Sequence, residues 1–224
     1  MVGLGLKGWR RAKWQQLTKF NATIADRYQA QRGLFMPAEL ATLLGPALSE
    51  SSILTDATHQ LASAENELLA GQGPERSLAS VSRLETRVYL GSQLLRDLDV
   101  MSMAHSLEVR VPFVDHVLLE SIWPALGEHP RLLARKRLLY ETLELPLPSA
   151  TVNRPKQGFV LPFQHWMGGE LQEVVRGGLD ELERQRWVTK GTSDVIWRSW
   201  RAGDSHWSRP WALGILGHFL RQAA

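Results

Sequence analysis

The chain has 224 residues, 44% hydrophobic and 22% charged, with a formal net charge of +3, nine tryptophans and no cysteine. This composition suits a globular domain and excludes disulfides, thiolate metal sites and a cysteine nucleophile. The charge is too mild to argue for nucleic acid, and no apolar run nears the eighteen or so residues of a membrane span, so a soluble, cytoplasmic chain is expected.

The predicted elements are nearly all helices. Residues 10–32 read as one helix, with Leu17, Phe20, Ile24 and Tyr28 at helical steps. Pro37 opens a second through Leu44, stopped by Gly45 and Pro46. Residues 52–70 follow the same period and end in the loop 71–74. The longest helical pattern is 76–106, where Val88, Leu90, Leu94, Leu95 and Leu98 mark a buried face. Residues 111–113 read as a short extended piece, because Pro112 turns its predecessor away from helix. Helices over 116–125 and 132–143 flank Gly127 to Pro130, and 169–182, 192–201 and 210–222 complete an all-α segment. No repeat, low-complexity tract or linker divides it, so a single unit is expected.

Three stretches carry chemistry. In the run from Asn153 to Trp166, Lys156 sits between Pro155 and Gly158. Pro155 stiffens the backbone and Gly158 permits a tight or left-handed turn. Phe159, Phe163 and Trp166 offer a wall. A lysine in such company needs an anion, and a phosphate or pyrophosphate is the natural one. In residues 97–115, Glu108 and Arg110 lie among Leu107, Val109, Val111 and Phe113. Charges so placed are usually paired; the pair either fixes a turn or lines a ligand pocket, while Asp99 and Ser102 cap or orient the same turn. Residues 131–157 hold six cations against two acids, which would draw a triphosphate or an acidic neighbour if it is not simply a solvated face. The histidines show no metal spacing, so no metal site is expected; His206 reads as a cap or a packing partner of Trp207. No nucleophile elbow, Walker loop or dinucleotide fingerprint occurs.

Taken together, two of these stretches resemble known signatures. Residues 102–115, Ser-Met-Ala-His-Ser-Leu-Glu-Val-Arg-Val-Pro-Phe-Val-Asp, resemble a signature of the asparagine synthase family, and Arg154 to Phe159 with Pro162 and Trp166 are similar to that family's lysine loop. Residues 136–139, 145–148 and 204–211 match in order. The resemblance covers about residues 80–220, with 1–79 as N-terminal helices of the same unit. It implies a mainly α fold: the helical C-terminal portion of an α/β ATP-pyrophosphatase-type (adenine nucleotide alpha hydrolase-like) synthetase domain. The implied reaction adenylates a carboxylate, aspartate in the first place, and forms an amide with ammonia from glutamine. Lys156 matches the family's catalytic lysine, and Glu108 and Arg110 match the second signature as substrate-binding or scaffold residues. Val100 departs from an arginine common at that point. ATP and Mg²⁺ are the implied cofactors, but the chain lacks the Ser-Gly-Gly-x-Asp-Ser loop, the Ser-Gly-x-Gly-x-Asp-Glu turn and a glutaminase cysteine. The expected partner is therefore an N-terminal glutaminase and ATP-binding segment, in the same polypeptide or a separate chain, without which this portion should be inactive. Two alternatives remain: a relative that closes a β-lactam or a lasso-peptide macrolactam, and a non-catalytic interaction module whose tryptophan-rich C-terminal helices meet a partner.

Overall fold

The computed structural model describes residues 8–19, 22–45, 80–128, 137–155, 157–158 and 160–223. Among them the protein is mainly helical, with no strand beyond an isolated bridge between Leu44 and Val188. Contacts group the chain into two compact units, Met1–Ala62 with Val160–Ala224, and Ser63–Phe159.

The first unit holds α1 (Trp9–Leu17), α2 (Ile24–Arg32) and α3 (Pro37–Leu43). The single helix expected over 10–32 is two. Thr23 stops the run, because its hydroxyl accepts the Asp26 N–H while the Asp26 carboxylate accepts the Thr23 N–H. This reciprocal cap favours a fresh helix start over continuation. α3 ends one residue early, and Leu44 joins the bridge to Val188, flanked by hydrogen bonds from Thr189 N to Leu43 O and from Gly45 N to Trp187 O.

Its second half holds α8 (Phe163–Gly168), α9 (Gln172–Arg184), α10 (Thr192–Arg201) and α11 (Ser208–Ala223). α10 has its expected bounds, α9 and α11 shift by one to three residues, and α8 forms where no helix was expected. The core is Met167, Val175, Leu179, Ile196, Trp197 and Trp200, with Phe35, Leu43, Trp207, Trp211 and Leu213 packed against it. Trp197 and Trp200 meet edge to face at 4.7 Å, a geometry that adds to their area burial. α9 and α11 cross backbone to backbone: a Cβ added at Gly178 would lie 1.9 Å from Gly214 O, and one at Gly217 1.9 Å from Gly178 O. Glu183 leaves α9 to cap α10, its carboxylate accepting the N–H groups of Gly191 (2.7 Å) and Ser193 (3.2 Å). The Gly191 hydrogen bond is the main reason that its pKa lies below the usual carboxylate value.

The second unit opens with one continuous helix. Residues 80–84 are α-helical, Glu85–Leu94 form a π-helix, and α4 (Leu95–Met103) follows directly. After it come a 3-10 turn at Pro112–Val114, α5 (His116–Glu128), α6 (Arg137–Glu141) and α7 (Ser149–Val152). The extended piece expected at 111–113 is instead that 3-10 turn, closed by Val114 N on Val111 O; Pro112 suits its first position. α5 runs through Pro124 and past Gly127. Asp115 starts it, accepting the N–H groups of Val117 and Leu118. The helix and loop expected at 52–70 and 71–74 lie outside the described residues, as does the start of the helix expected at 132–143. In the long helix the expected buried face does not hold: Leu84 is fully buried, but Leu94 and Leu98 are exposed. No residue from 91 to 103 is buried: apolar spacing marks a face, and what packs on it lies beyond the period itself.

Three helices end in the same closure, in which a residue just past the helix turns left-handed and two N–H groups fold back onto the last turn. α10 uses Gly203 (φ 77°), whereas α4 uses Ser106 (φ 57°) and α9 uses Arg186 (φ 62°). At Ser106, Leu107 N reaches Ser102 O and Ser106 N reaches Met103 O, both at 2.9 Å. A side chain in this region costs roughly 1–2 kcal/mol. Ser106→Gly is therefore expected to raise stability by about 0.5–1 kcal/mol after the added freedom of the unfolded glycine is subtracted, read as a higher urea midpoint with an unchanged slope.

Candidate functional site

Lys156 and Phe159 lie outside the described residues. Their described neighbours Arg154, Pro155, Gln157, Gly158 and Val160 are all exposed, whereas the apolar sequence suggested that these positions are enclosed. Gly158 is not left-handed, and a Cβ there would meet nothing within 4 Å. Among the described residues nothing demands glycine at that position. Two of the three expected wall residues have other partners: in the first unit Phe163 stacks on Trp207 (4.7 Å, 4°) and meets Trp166 at 5.4 Å and Trp211 at 4.9 Å edge-on. The aromatic signal near the lysine is, for Phe163 and Trp166, a packing signal.

Glu108 and Arg110 are paired, as charges in their setting should be, with Arg110 Nη2 2.6 Å from Glu108 Oε1. They are not embedded. Their side chains are 71% and 81% exposed, and Leu107, Val109, Val111 and Phe113 beside them are exposed as well. Ser102 Oγ donates to the backbone Asp99 O at 3.2 Å inside the last turns of α4, a bond in which the Asp99 carboxylate takes no part. Met101 and Met103 are exposed as well. Of the basic run, Arg131, Arg135 and Lys136 lie outside the described residues.

Sequence reasoning missed the charges buried in the first unit. Arg209, with a side chain 6% exposed, donates from Nη2 to Glu39 Oε1 at 2.6 Å and lies 4.2 Å from the centre of the Phe35 ring. Its Nε has no hydrogen-bond partner among the described residues. Glu39 also accepts the Met36 N–H at 2.9 Å, capping α3. Lys13 lies over Trp9, with Nζ 5.2 Å from the ring centre. Burial first, and the Arg209 charge second, lower the Lys13 pKa. The two members of the Arg209–Glu39 pair are 170 positions apart, and no local pattern connects them.

His206 does both things expected of it. Its ring lies 5.2 Å from Trp207, and its Nδ1 accepts the Ser208 N–H at 3.4 Å and faces Ser208 Oγ at 2.8 Å. Desolvation, and then the Lys13 ammonium, lower its pKa from 6.5. The folded ring therefore resists a proton that the unfolded chain accepts. This linkage leaves stability level above about pH 6.5 and reduces it as pH falls below that value, until the folded ring also protonates. A charged His206 would in addition lose its acceptor role at the positive end of α11. Thermal melts at pH 7.5 and pH 5.5 check this: the acid loss should shrink in His206→Gln.

A cleft of about 770 Å³ opens between α9 and α10, lined by Arg176, Asp180, Glu183, Arg186, Lys190 and Asp194 among others. Arg176 pairs with Asp194 at 3.0 Å, and Glu183 is held by backbone. None of the residues picked from sequence lines it. Among the described residues no group of three or more histidine, aspartate or glutamate side chains could hold a metal ion, and no helix is long and apolar enough to cross a membrane.

Comparison with known proteins adds to this geometry. A family model described as asparagine synthase matches residues 5–221. The chain is 32% identical over 108 residues to glutamine-hydrolysing asparagine synthetase 1 of Bacillus subtilis (strain 168), a match that takes in 48% of this chain and 17% of that protein. It is also 32% identical over 160 residues to a Mycobacterium tuberculosis (strain H37Rv) protein named for the same glutamine-hydrolysing synthetase, covering 70% of this chain and 23% of that one. The matched stretch thus spans about a sixth to a quarter of these relatives' length. No solved structure matches.

Proposed function

This chain belongs to the asparagine synthase family, and we propose that it is the helical C-terminal portion of an ATP-dependent synthetase that forms an amide from a carboxylate and ammonia released from glutamine. The observation that carries the reading is the family match across residues 5–221, supported by the two signatures at 102–115 and 154–159 standing in their expected order. Aspartate is the carboxylate that the relatives' names favour. The rest of the machinery, a glutaminase and an ATP-binding segment, belongs to chain outside this portion. Residues 1–224 then form one partial synthetase domain, and this portion by itself does not turn over.

The phosphate-binding loops that the resemblance implies do not occur in this sequence, and among the described residues no group of three or more histidine, aspartate or glutamate side chains is found that could hold a metal ion. ATP and Mg²⁺ are bound by the completing segment in this reading. What this chain contributes is Lys156, a fixed positive charge set against the negative charge that builds as pyrophosphate departs. Pre-positioned cations of this kind act because they need no reorganisation at the moment of reaction. Glu108 and Arg110 act on each other, holding the segment after α4 rather than gripping substrate.

The test uses the completed polypeptide, with glutaminase, ATP-binding segment and this portion joined, and follows pyrophosphate release on aspartate, ATP and glutamine. Lys156→Ala is expected to lower the rate roughly a hundredfold, on the scale of losing one electrostatic donor, with an unchanged thermal melt. Near-normal release from that variant removes the catalytic role of Lys156. Release that depends on a carboxylate other than aspartate redirects the substrate, and no release with any carboxylate removes the enzyme reading altogether.

A further inference from the structure

The lysine stretch runs straight into α8, and α8 is held by side chains rather than by its own length. A helix of six residues has little stability of its own. Phe163, its first residue, comes seven positions after Lys156. The Phe163 ring meets three others, lying parallel to Trp207 at 4.7 Å and edge-on to Trp211 at 4.9 Å and Trp166 at 5.4 Å. Trp207 and Trp211 pack in turn against the buried core. Four positions further on, Met167 is fully buried in that core. The backbone carries the anchorage one step back toward the lysine: Phe163 N donates to Leu161 O at 2.8 Å, and Trp166 N to Pro162 O at 3.1 Å. Pro162 between them has its φ fixed by its ring.

We propose that the Phe163–Trp207 stack is a positioning element for Lys156, fixing the point at which the lysine stretch joins the folded core. The proposal rests on the reading of Lys156 as the cation set against departing pyrophosphate. A cation lowers a barrier by being in place beforehand, so the loop that carries it needs a rigid support. Only four residues, 157–160, separate Lys156 from the anchored Leu161. A shift in the first turn of α8 is therefore passed on to the lysine with little chain to absorb it. Neither ring touches substrate in this scheme; both act through Lys156. The stack joins residues 44 positions apart, and aromatic pairs of this geometry add to what area burial alone supplies.

Pyrophosphate release by the completed polypeptide tests the proposal. Phe163→Leu and Trp207→Leu break the stack from either side, and Trp207→Phe keeps a ring in it. Leu182→Ala, which empties a fully buried position on α9, is the control for lost stability alone. Each leucine variant is expected to lower kcat about tenfold or more with little change in KM for aspartate or ATP, since a misplacement of about 1 Å can cost a hundredfold. Trp207→Phe should retain most of the rate, and Leu182→Ala should melt lower with kcat unchanged. Circular dichroism at the assay temperature confirms that each variant is folded.

The decisive comparison is a double-variant cycle. A misplaced lysine and an absent one are the same defect, so Trp207→Leu should add nothing to the loss of kcat in Lys156→Ala. Leucine variants with the parent's kcat, an equal loss in Leu182→Ala, or a full-sized effect of Trp207→Leu on top of Lys156→Ala would each overturn the positioning role and leave the reading of Lys156 intact. Near-normal release from Lys156→Ala alone is a different result and overturns both.

Discussion

Glu39→Ala is expected to destabilise the first unit by about 3–5 kcal/mol, the range found when one partner of a buried ion pair is removed. The loss comes less from the missing attraction than from what remains. Arg209 keeps its charge, its side chain is 6% exposed, and its Nε already lacks a partner among the described residues. Glu39 was its only carboxylate among the described residues. Lys13, which the Arg209 charge already disfavours as an ammonium, offers no relief. The same substitution also frees the Met36 N–H at the start of α3, which adds a smaller cost of about 1 kcal/mol. Urea denaturation measures the total. Two further variants separate the causes: Glu39→Gln retains a cap for Met36 but not the charge, and the double variant Glu39→Leu with Arg209→Met removes both charges. If the buried charge dominates, the double variant should be more stable than Glu39→Ala. A double variant as unstable as the single one would mean that packing, and not the orphaned guanidinium, sets the cost.

Gly178→Ala is expected to cost about 4 kcal/mol or more, or to prevent folding of the first unit, because its Cβ would fall 1.9 Å from Gly214 O. That atom belongs to backbone, so it yields only if α9 and α11 part, and core overpacking of this severity belongs to the extreme tail of single substitutions. Gly217→Ala meets Gly178 O at the same distance and should behave alike. Gly177, one residue away on α9, is the matched control. Its Cβ would meet nothing nearer than His218 Cε1 at 3.9 Å, an ordinary contact, and alanine is favoured over glycine in a helix interior by up to about 1 kcal/mol. Adjacent substitutions on one helix should therefore move the melting temperature in opposite directions. Equal effects at Gly177 and Gly178 would show that the backbones do not touch there.

The mainly helical fold was legible because period and punctuation agreed. Thr192–Arg201 follows a glycine and precedes one, and its bounds came out as read. Where reading failed, a competing local signal was present but outweighed. Thr23 and Asp26 spell a helix start, yet the apolar spacing of Leu17, Ile24 and Tyr28 runs on through them. Ser106 and Arg186 end helices in a backbone form that glycine advertises and they do not; only Gly203 carried the expected sign. The candidate site was legible as chemistry rather than as geometry. Glu108 and Arg110 were rightly expected to pair, because that follows from charge and spacing. Their exposure was not foreseeable, since burial depends on what else packs there. The Arg209–Glu39 pair was invisible for a simpler reason: no window along the chain contains both residues.

The π-helical stretch has a consequence for how this sequence can change in length. In an ordinary helix, dropping one residue rotates everything beyond by about 100°, which turns a buried face outward. Glu85–Leu94 closes on the fifth residue back rather than the fourth, as the hydrogen bond from Leu95 N to Leu90 O shows, so each of its turns holds more chain than an α-turn does. A deletion there can be taken up by one turn tightening to α, with residues 80–84 and α4 each keeping its own facing. The segment acts as a reserve of slack, placed a few residues ahead of the 102–115 stretch.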